Sequence, residues 1–414
     1  MAPVAVPHDP CTVAPVFLRL ALASGLWLLA CLCLAAPYNL DTATTEELRA
    51  RDGLPNFLSK ATAGDTVRVA YLGGSITAAA GWRPKSLEWF RRQYPQAQFA
   101  EINAAISGTG SDFAACRLQE DVLVQNPDLV FLECRVNGGG GFEAQSVEGV
   151  VRHIWRESPR TDICFIYTIG EWMIPGIREG NNTGFGSIME SIANHYGIPT
   201  IDLALEVERQ LDAGTLVFKA DQEPEGKLAF SRDGVHPGDG GHDIYRDVIA
   251  RSTLAMEGVG SAAPHELVAP LAAEPWENAT LLPIAEATLS AGWESVDMAT
   301  DPVTSADAGR TRGMLRATMK TAQQGASITV GFRGTAVGFS DIPGVEPIEL
   351  EATIDGETTI PISRRSPDGM RKYARFWYTP ELPPGEHTVR FTVKSLPEGV
   401  AFYAGQLLIA GEPR

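Results

Sequence analysis

The stretch that most constrains the fold is residues 67–77, VRVAYLGGSIT. Val67, Val69, Tyr71 and Leu72 make a short β-rich apolar run of the kind that fills a buried parallel strand, and Gly73-Gly74 stops it. Ser75 follows at once. Two glycines permit a sharp turn where a Cβ would clash, which puts Ser75 at the carboxyl end of a strand, where open α/β sheets hold their ligands. The pattern over residues 84–94 predicts the helix that comes next, with Leu87, Trp89 and Phe90 on its core face. Taken alone, Ser75 reads equally well as a helix-capping serine. The elbow G-x-S-x-G does not fit, because Thr77 stands where the second glycine should be.

From residue 45 to 258 apolar strand runs alternate with helical patterns, which implies a parallel sheet covered on both faces. The strands are expected at 67–72, 99–103, 129–134, 163–168 and 199–203. Helices are expected near 111–123, 143–157, 183–196 and 203–212, with a last one following His242. Five strands with crossovers give a flavodoxin-like three-layer α/β/α domain. Near 257–275 the texture becomes a linker rich in Gly, Ala and Pro, and strands without helices follow at 327–332, 336–340, 348–354, 374–378, 387–393 and 401–409. Turn pairs such as Asp355-Gly356 and Pro384-Gly385 separate them, the pattern of an all-β sandwich, jelly-roll-like. The expected division is a leader at 1–36, an α/β domain at 37–262 with its own core, and a β-sandwich accessory domain at 263–414. The accessory domain carries no catalytic constellation in its sequence and reads either as a sugar-binding module or as a structural cap.

Residues 18–36 are almost continuously apolar, with Arg19 nearly their only charge, and end in Leu34-Ala35-Ala36. These are the marks of a secretory signal peptide cleaved near Ala36, hence of a secreted or periplasmic protein. A retained membrane anchor is the alternative, and Leu28-Leu29-Ala30-Cys31 loosely resembles a lipoprotein cleavage box. The formal net charge of -17 weighs against nucleic acid or an anionic membrane as partner and favours a neutral substrate. Outside the leader only Cys116, Cys134 and Cys164 remain, an odd number without metal spacing, so the fold does not rest on a disulfide framework.

Among the seven histidines, His236 stands apart. It follows Asp233 by three residues across Gly234, so a tight turn can aim the carboxylate at Nδ1 and leave Nε2 free to accept a proton. Asp233, His236, Asp239 and His242 recur every third residue and admit a metal-site reading, against which Pro237 and the glycine-rich interval argue.

A serine at a strand-end turn with Asp-x-x-His near the end of the same α/β domain resembles the SGNH (GDSL-like) hydrolase superfamily. Four blocks carry the resemblance over residues 66–250. Gly73-Gly74-Ser75-Ile76-Thr77 is the nucleophile block, Gly108 in Ile106-Ser107-Gly108-Thr109-Gly110 stands for the family's oxyanion glycine, and Asn137 in Val136-Asn137-Gly138 for its asparagine. Asp233 and His236 form the last block. The resemblance implies a triad of Ser75, Asp233 and His236, an oxyanion hole from Ser75, Gly108 and Asn137, and acyl-ester hydrolysis needing neither metal nor cofactor. Gly138 departs from the family's aspartate, which is expected to loosen the loop that holds Asn137. Members with this layout include many secreted bacterial carbohydrate acetylesterases, so an acylated neutral polysaccharide or its oligosaccharides is the expected substrate. Trp82, Trp172 and Phe185 are expected in loops beyond strand ends, as candidates for stacking on sugar rings. The competing functions are a non-catalytic carbohydrate-binding protein on the same fold and a metal-dependent hydrolase.

Overall fold

The computed structural model describes residues 37–370 and 373–414. The expected leader, residues 1–36, lies outside the described residues.

A two-residue edge strand β1 (Leu48–Arg49) is joined by five parallel strands, β2 (Thr66–Gly73), β3 (Gln98–Asn103), β4 (Leu129–Glu133), β5 (Asp162–Tyr167) and β6 (Thr200–Asp202). They run across the sheet as β1-β6-β5-β4-β2-β3, with β1 antiparallel to β6. Without β1 this is the flavodoxin-like order, which has a crossover switch beside β2 and so opens a crevice at its carboxyl end. Every residue of β4 and β5 is buried, which is why both read as apolar runs, broken only by Glu133 at the end of β4 and Asp162 at the start of β5.

Helices α1 (Pro55–Ala63), α2 (Ser75–Ala78), α3 (Trp82–Gln93), α4 (Ser111–Asp121), α5 (Glu143–Glu157), α6 (Ile174–Arg178), α7 (Gly184–Tyr196), α8 (Ala204–Asp212) and α9 (Asp239–Ala255) make the connections. One face of the sheet packs Phe57, Trp82, Phe90, Val207 and Tyr245 from α1, α3, α8 and α9. The other packs Phe113, Val147, Val150 and Met189 from α4, α5 and α7. Between α8 and α9 lies a small parallel pair, β7 (Leu216–Lys219) and β8 (Leu228–Ser231). Helix α9 begins at Asp239, earlier than expected, so His242 lies within it.

The C-terminal region is antiparallel. Strands β9 (Thr280–Pro283), β10 (Thr288–Leu289), β11 (Glu294–Val296), β12 (Thr318–Thr321), β13 (Ser327–Ile342), β14 (Ile348–Ile354), β15 (Thr358–Arg364), β16 (Arg375–Tyr378), β17 (Gly385–Ser395) and β18 (Phe402–Pro413) surround one helix, α10 (Ala308–Leu315). The order is β11-β12-β18-β13-β17-β14-β15, with β9 on β18 and with β10 and β16 on β13. The two strands expected at 327–332 and 336–340 are one, β13, which bulges between Gly334 and Ala336 and so interrupts the alternation.

The expected linker is a packed strap. Its Leu271 and Ala272 amides each donate to the buried Glu148 carboxylate at 2.6 Å. His265 lies with its ring centroid 4.4 Å from that of Trp155, and its Nε2 is 2.8 Å from Asp162 Oδ1. Beyond the strap, Trp276, Met314, Leu315, Ile342, Tyr403, Leu408 and Ala410 share one apolar cluster with Phe113, Val147 and Met189. The α/β domain therefore does not close its core by itself: the face over α4 and α5 is completed by the β region. At this seam Phe113 meets Phe376 at 5.1 Å and Phe142 meets Trp276 at 4.6 Å between ring centroids. Asp112 is buried here as well. Its Oδ1 accepts the Phe113 amide at 2.8 Å, while Oδ2 has no partner among the described residues. Burial pushes this carboxyl up to about 6. Cys116, Cys134 and Cys164 are free and buried.

Candidate active site

Strand β2 delivers Ser75 to the carboxyl edge of the sheet. Both glycines before it are required for space: a Cβ at Gly73 would lie 2.7 Å from the Glu133 carbonyl oxygen, and one at Gly74 would lie 2.0 Å from Asn137 Oδ1. Ser75 opens the short α2, so its own N–H has no acceptor within the helix.

The turn after β8 carries Asp233 and His236. Gly234 takes φ +87, a left-handed conformation that glycine adopts freely, and the chain folds back so that Asp233 Oδ1 accepts the amides of Val235 and His236 at 2.8 Å each and Ser231 Oγ at 3.0 Å. Asp233 Oδ2 lies 2.6 Å from His236 Nδ1, and His236 Nε2 lies 2.7 Å from Ser75 Oγ. Partial burial raises the Asp233 carboxyl, but the hydrogen bonds from the His236 side chain, the two amides and Ser231 outweigh it and hold the group well below the usual carboxylate range. An ionised Asp233 is acceptor-only, so Nδ1 carries the proton and Nε2 accepts from the serine hydroxyl. The side chains of His236 and Asp233 are about half exposed, so this chain of hydrogen bonds opens on solvent.

Gly108 and Asn137 come to the same place. Gly108 has φ +73, and Asn137 lies against Gly74, with its own backbone amide donating to Cys134 O at 3.0 Å. Neither the Gly108 amide nor the Asn137 side-chain amide donates to a protein acceptor among the described residues. Gly138 does not leave the loop loose. It adopts φ +78, donates to Cys134 O at 2.8 Å and accepts the Ser111 amide at 3.0 Å, so the missing aspartate is replaced by backbone anchors.

The three aromatic candidates separate. Trp172 is 59% exposed, and its neighbour Glu171 donates its amide to Gly234 O at 2.9 Å, so it stands beside the acid and base turn. Trp82 does not face a ligand: it is 0% exposed, the first residue of α3, edge-on to Tyr71 with ring centroids 5.2 Å apart. Phe185 is not in a loop either; it lies in the first turn of α7, half-buried against the core. Both aromatics fill core positions that glycine-rich flanks disguise as loop. His242 is likewise buried, with Nδ1 accepting the Trp82 amide at 3.1 Å, and burial pushes its imidazole down to about 4. Asp239 pairs with Lys85 at 2.8 Å. Of the four residues of the metal-site reading, Asp233 and His236 thus pair with each other while Asp239 and His242 point to other partners.

One residue at the site has no signal in the sequence. Arg310 of α10 crosses from the β region so closely that a Cβ at Gly108 would lie 2.8 Å from its Nη2, and its guanidinium faces the Tyr373 ring at 5.8 Å.

A flavodoxin-like α/β/α sheet with a serine, an imidazole and a carboxylate in hydrogen-bonded series at its carboxyl edge is the architecture of a serine-type acylhydrolase. Residues 71–244 match the GDSL-like Lipase/Acylhydrolase family. The α/β domain is a GDSL-like acylhydrolase domain, and the chain is a carboxylic ester hydrolase. A comparison with curated protein sequences finds no match. Among solved structures, the chain is similar over most of its length to a two-domain esterase (CEX) active on acetylated mannans. That likeness has 21% identity and a TM-score of 0.72 and covers 88% of this chain and 98% of that one. A second structure of the two-domain esterase, co-crystallised with mannopentaose, gives 22% identity and a TM-score of 0.69, covering 86% and 93%. The likeness extends through both parts of the fold.

Proposed function

We propose that the chain is a serine esterase that removes acyl groups, most simply acetyl, from a neutral polysaccharide or its oligosaccharides. The observation that carries this reading is the hydrogen-bonded series Asp233–His236–Ser75 at an open, half-exposed edge of the sheet. An acyl group standing on a bulky, hydrated polymer can reach such a site without the carrier being engulfed. Similarity over both parts of the fold to an esterase active on acetylated mannans adds support.

In this reading Ser75 Oγ attacks the acyl carbonyl while His236 Nε2 takes its proton, and Asp233 holds the imidazole tautomer and stabilises the imidazolium. The charge that develops on the carbonyl oxygen is met by the amides of Ser75 and Gly108 and the Asn137 side chain. His236 then returns the proton to the departing sugar hydroxyl, leaving an acyl-serine. Water, deprotonated by the same imidazole, releases the acid and restores Ser75. Trp172 is the aromatic available to a sugar ring beside the site. Residues 1–36 serve as an export leader, 37–262 as the catalytic domain and 263–414 as the accessory region.

The test is acetate release from acetylated mannan and acetylated xylan by the purified protein, beside Ser75→Ala and His236→Ala. Each substitution is expected to cost about 10⁴-fold or more in kcat, and the double variant to be little worse than either, because a triad acts as a unit. Clear additivity, or equal release by Ser75→Ala, refutes the assignment.

A further inference from the structure

A buried carboxylate lies beneath the nucleophile turn, and the catalytic reading does not use it. Glu133 ends β4, has no exposed surface, and sits in register beside Gly73 of β2. Its Oε2 accepts from Thr77 Oγ1 at 2.9 Å, two residues past the nucleophile, and its Oε1 accepts from Thr168 Oγ1 at 2.8 Å. The Gly74 amide faces the same carboxylate and acts with these hydroxyls to favour its charged form. The fit is close, since a Cβ at Gly73 would lie 3.0 Å from both Glu133 Oε2 and Thr77 Oγ1.

What Glu133 grips on its other side matters as much. Thr168 begins the segment after β5. Three residues on, the Glu171 amide donates to Gly234 O at 2.9 Å, inside the turn that carries Asp233 and His236. Between them the Ile169 amide donates to Tyr245 Oη at 3.2 Å, tying the segment to α9. Arg135, the cation nearby, is occupied by both carboxylate oxygens of Asp202 at 2.7 Å each and by Thr168 O at 3.0 Å. Glu133 is therefore held by neutral donors, which are directional, rather than by an ion pair. Burial raises its proton affinity, and those donors together with Arg135 act against that.

We propose that Glu133 is a positioning residue: its carboxylate clamps the Gly74–Thr77 turn to the end of β5 and so keeps Ser75 Oγ in line with His236 Nε2. The proposal rests on the reading of Ser75 and His236 as nucleophile and base. A carboxylate suits the task because a hydroxyl donor meets each of its oxygens, one from either side of the clamp, and an ionised glutamate is acceptor-only on both. Glutamine fills the same volume but presents an NH₂ on one side, so one threonine hydroxyl must reverse from donor to acceptor and the charge-assisted grip on the turn is lost; a displacement of about 1 Å at a nucleophile can cost roughly 10²-fold.

The experiment uses the full chain with Glu133→Gln, Thr77→Val, Thr77→Ser and Ser75→Ala. It measures kcat and KM on 4-nitrophenyl acetate, the rate of Ser75 sulfonylation by phenylmethylsulfonyl fluoride, and thermal unfolding. Glu133→Gln is expected to lower kcat and the sulfonylation rate together by about 10- to 100-fold, with KM within about two-fold and unfolding still cooperative. Thr77→Val should move the same way by less, and Thr77→Ser, which restores the hydroxyl, should recover most of the loss. Wild-type kcat in Glu133→Gln, or equal impairment in Thr77→Ser and Thr77→Val, overturns the proposal. If Glu133→Gln does not fold, the Thr77 pair decides. Hydrolysis surviving in Ser75→Ala would sink the catalytic reading and this proposal with it, whereas an inactive Ser75→Ala beside an unimpaired Glu133→Gln sinks this proposal alone.

Discussion

Asp112 offers a quantitative test of the seam between the two parts of the fold. Its carboxyl is buried, one oxygen has no partner among the described residues, and its proton is held up to about 6. In the unfolded chain an aspartate releases its proton near 3.9. The folded state thus binds this proton more tightly, so stability falls as pH rises from about 4 to about 6 and levels off above. At about 1.4 kcal/mol per pH unit, ionisation of Asp112 costs about 3 kcal/mol at pH 7.5 but only about 1 kcal/mol at pH 4.5. Asp112→Asn keeps the volume and the acceptor for the Phe113 amide and cannot ionise. The gap in unfolding free energy between variant and wild type should therefore widen, in the variant's favour, by about 2 kcal/mol between pH 4.5 and 7.5. Urea unfolding followed by tryptophan fluorescence at the two pH values measures it, with all other titrating groups cancelling in the comparison. A gap that stays constant, or widens toward acid, refutes the reasoning.

Asn137→Ala should lower kcat by about 10² to 10³ with little change in KM, since its amide is needed chiefly by the charged intermediate; stopped-flow or steady-state assay of an aryl acetate decides this, and a silent variant moves the donor elsewhere. Trp172→Ala should raise KM for acetylated oligosaccharides several-fold and leave 4-nitrophenyl acetate turnover unchanged, as expected of a ring that touches sugar and not the acyl group. A chain ending at Ala262 should lose cooperative unfolding and soluble yield, because it uncovers Phe113, Phe142 and Val147, each worth about 1.5–3 kcal/mol when buried. A well-folded, active product of that length would show that the α/β half closes its own core after all.

Much of the α/β half was legible because burial there is two-sided. Strands β4 and β5 have water on neither face, so their interiors read as apolar runs and their ends fall within a residue or so of expectation. The pairing of Asp233 with His236 was legible because Asp233, Gly234 and His236 form one local turn, whose geometry follows from spacing. Strands β9 to β12 were not: they are two to four residues long and only partly buried, too short for alternation to register. Trp82 was misread because Gly81 looks like loop, whereas the helix starts at Trp82 itself and turns the indole inward. Glu133 and Arg310 are invisible for a different reason. Each matters through contacts with residues far away in sequence, and a lone acid at the end of a strand or a lone arginine on a short helix carries no pattern of its own.

The packing of β18 against α4 sets an order of events when the chain is made. Synthesis runs from the N-terminus, and domains that own their cores fold as they emerge. Here Phe113 and Val147 are in place roughly 260 to 300 residues before Leu408 and Ala410, which help to cover them, and β9 must wait for β18 before it has a partner. Until β18 leaves the ribosome, the nascent chain carries a wet apolar face and an unpaired strand. Its yield in a host is thus governed by how well that interval is protected, and a stop codon between residue 280 and β18 removes the lid from the core of the α/β half.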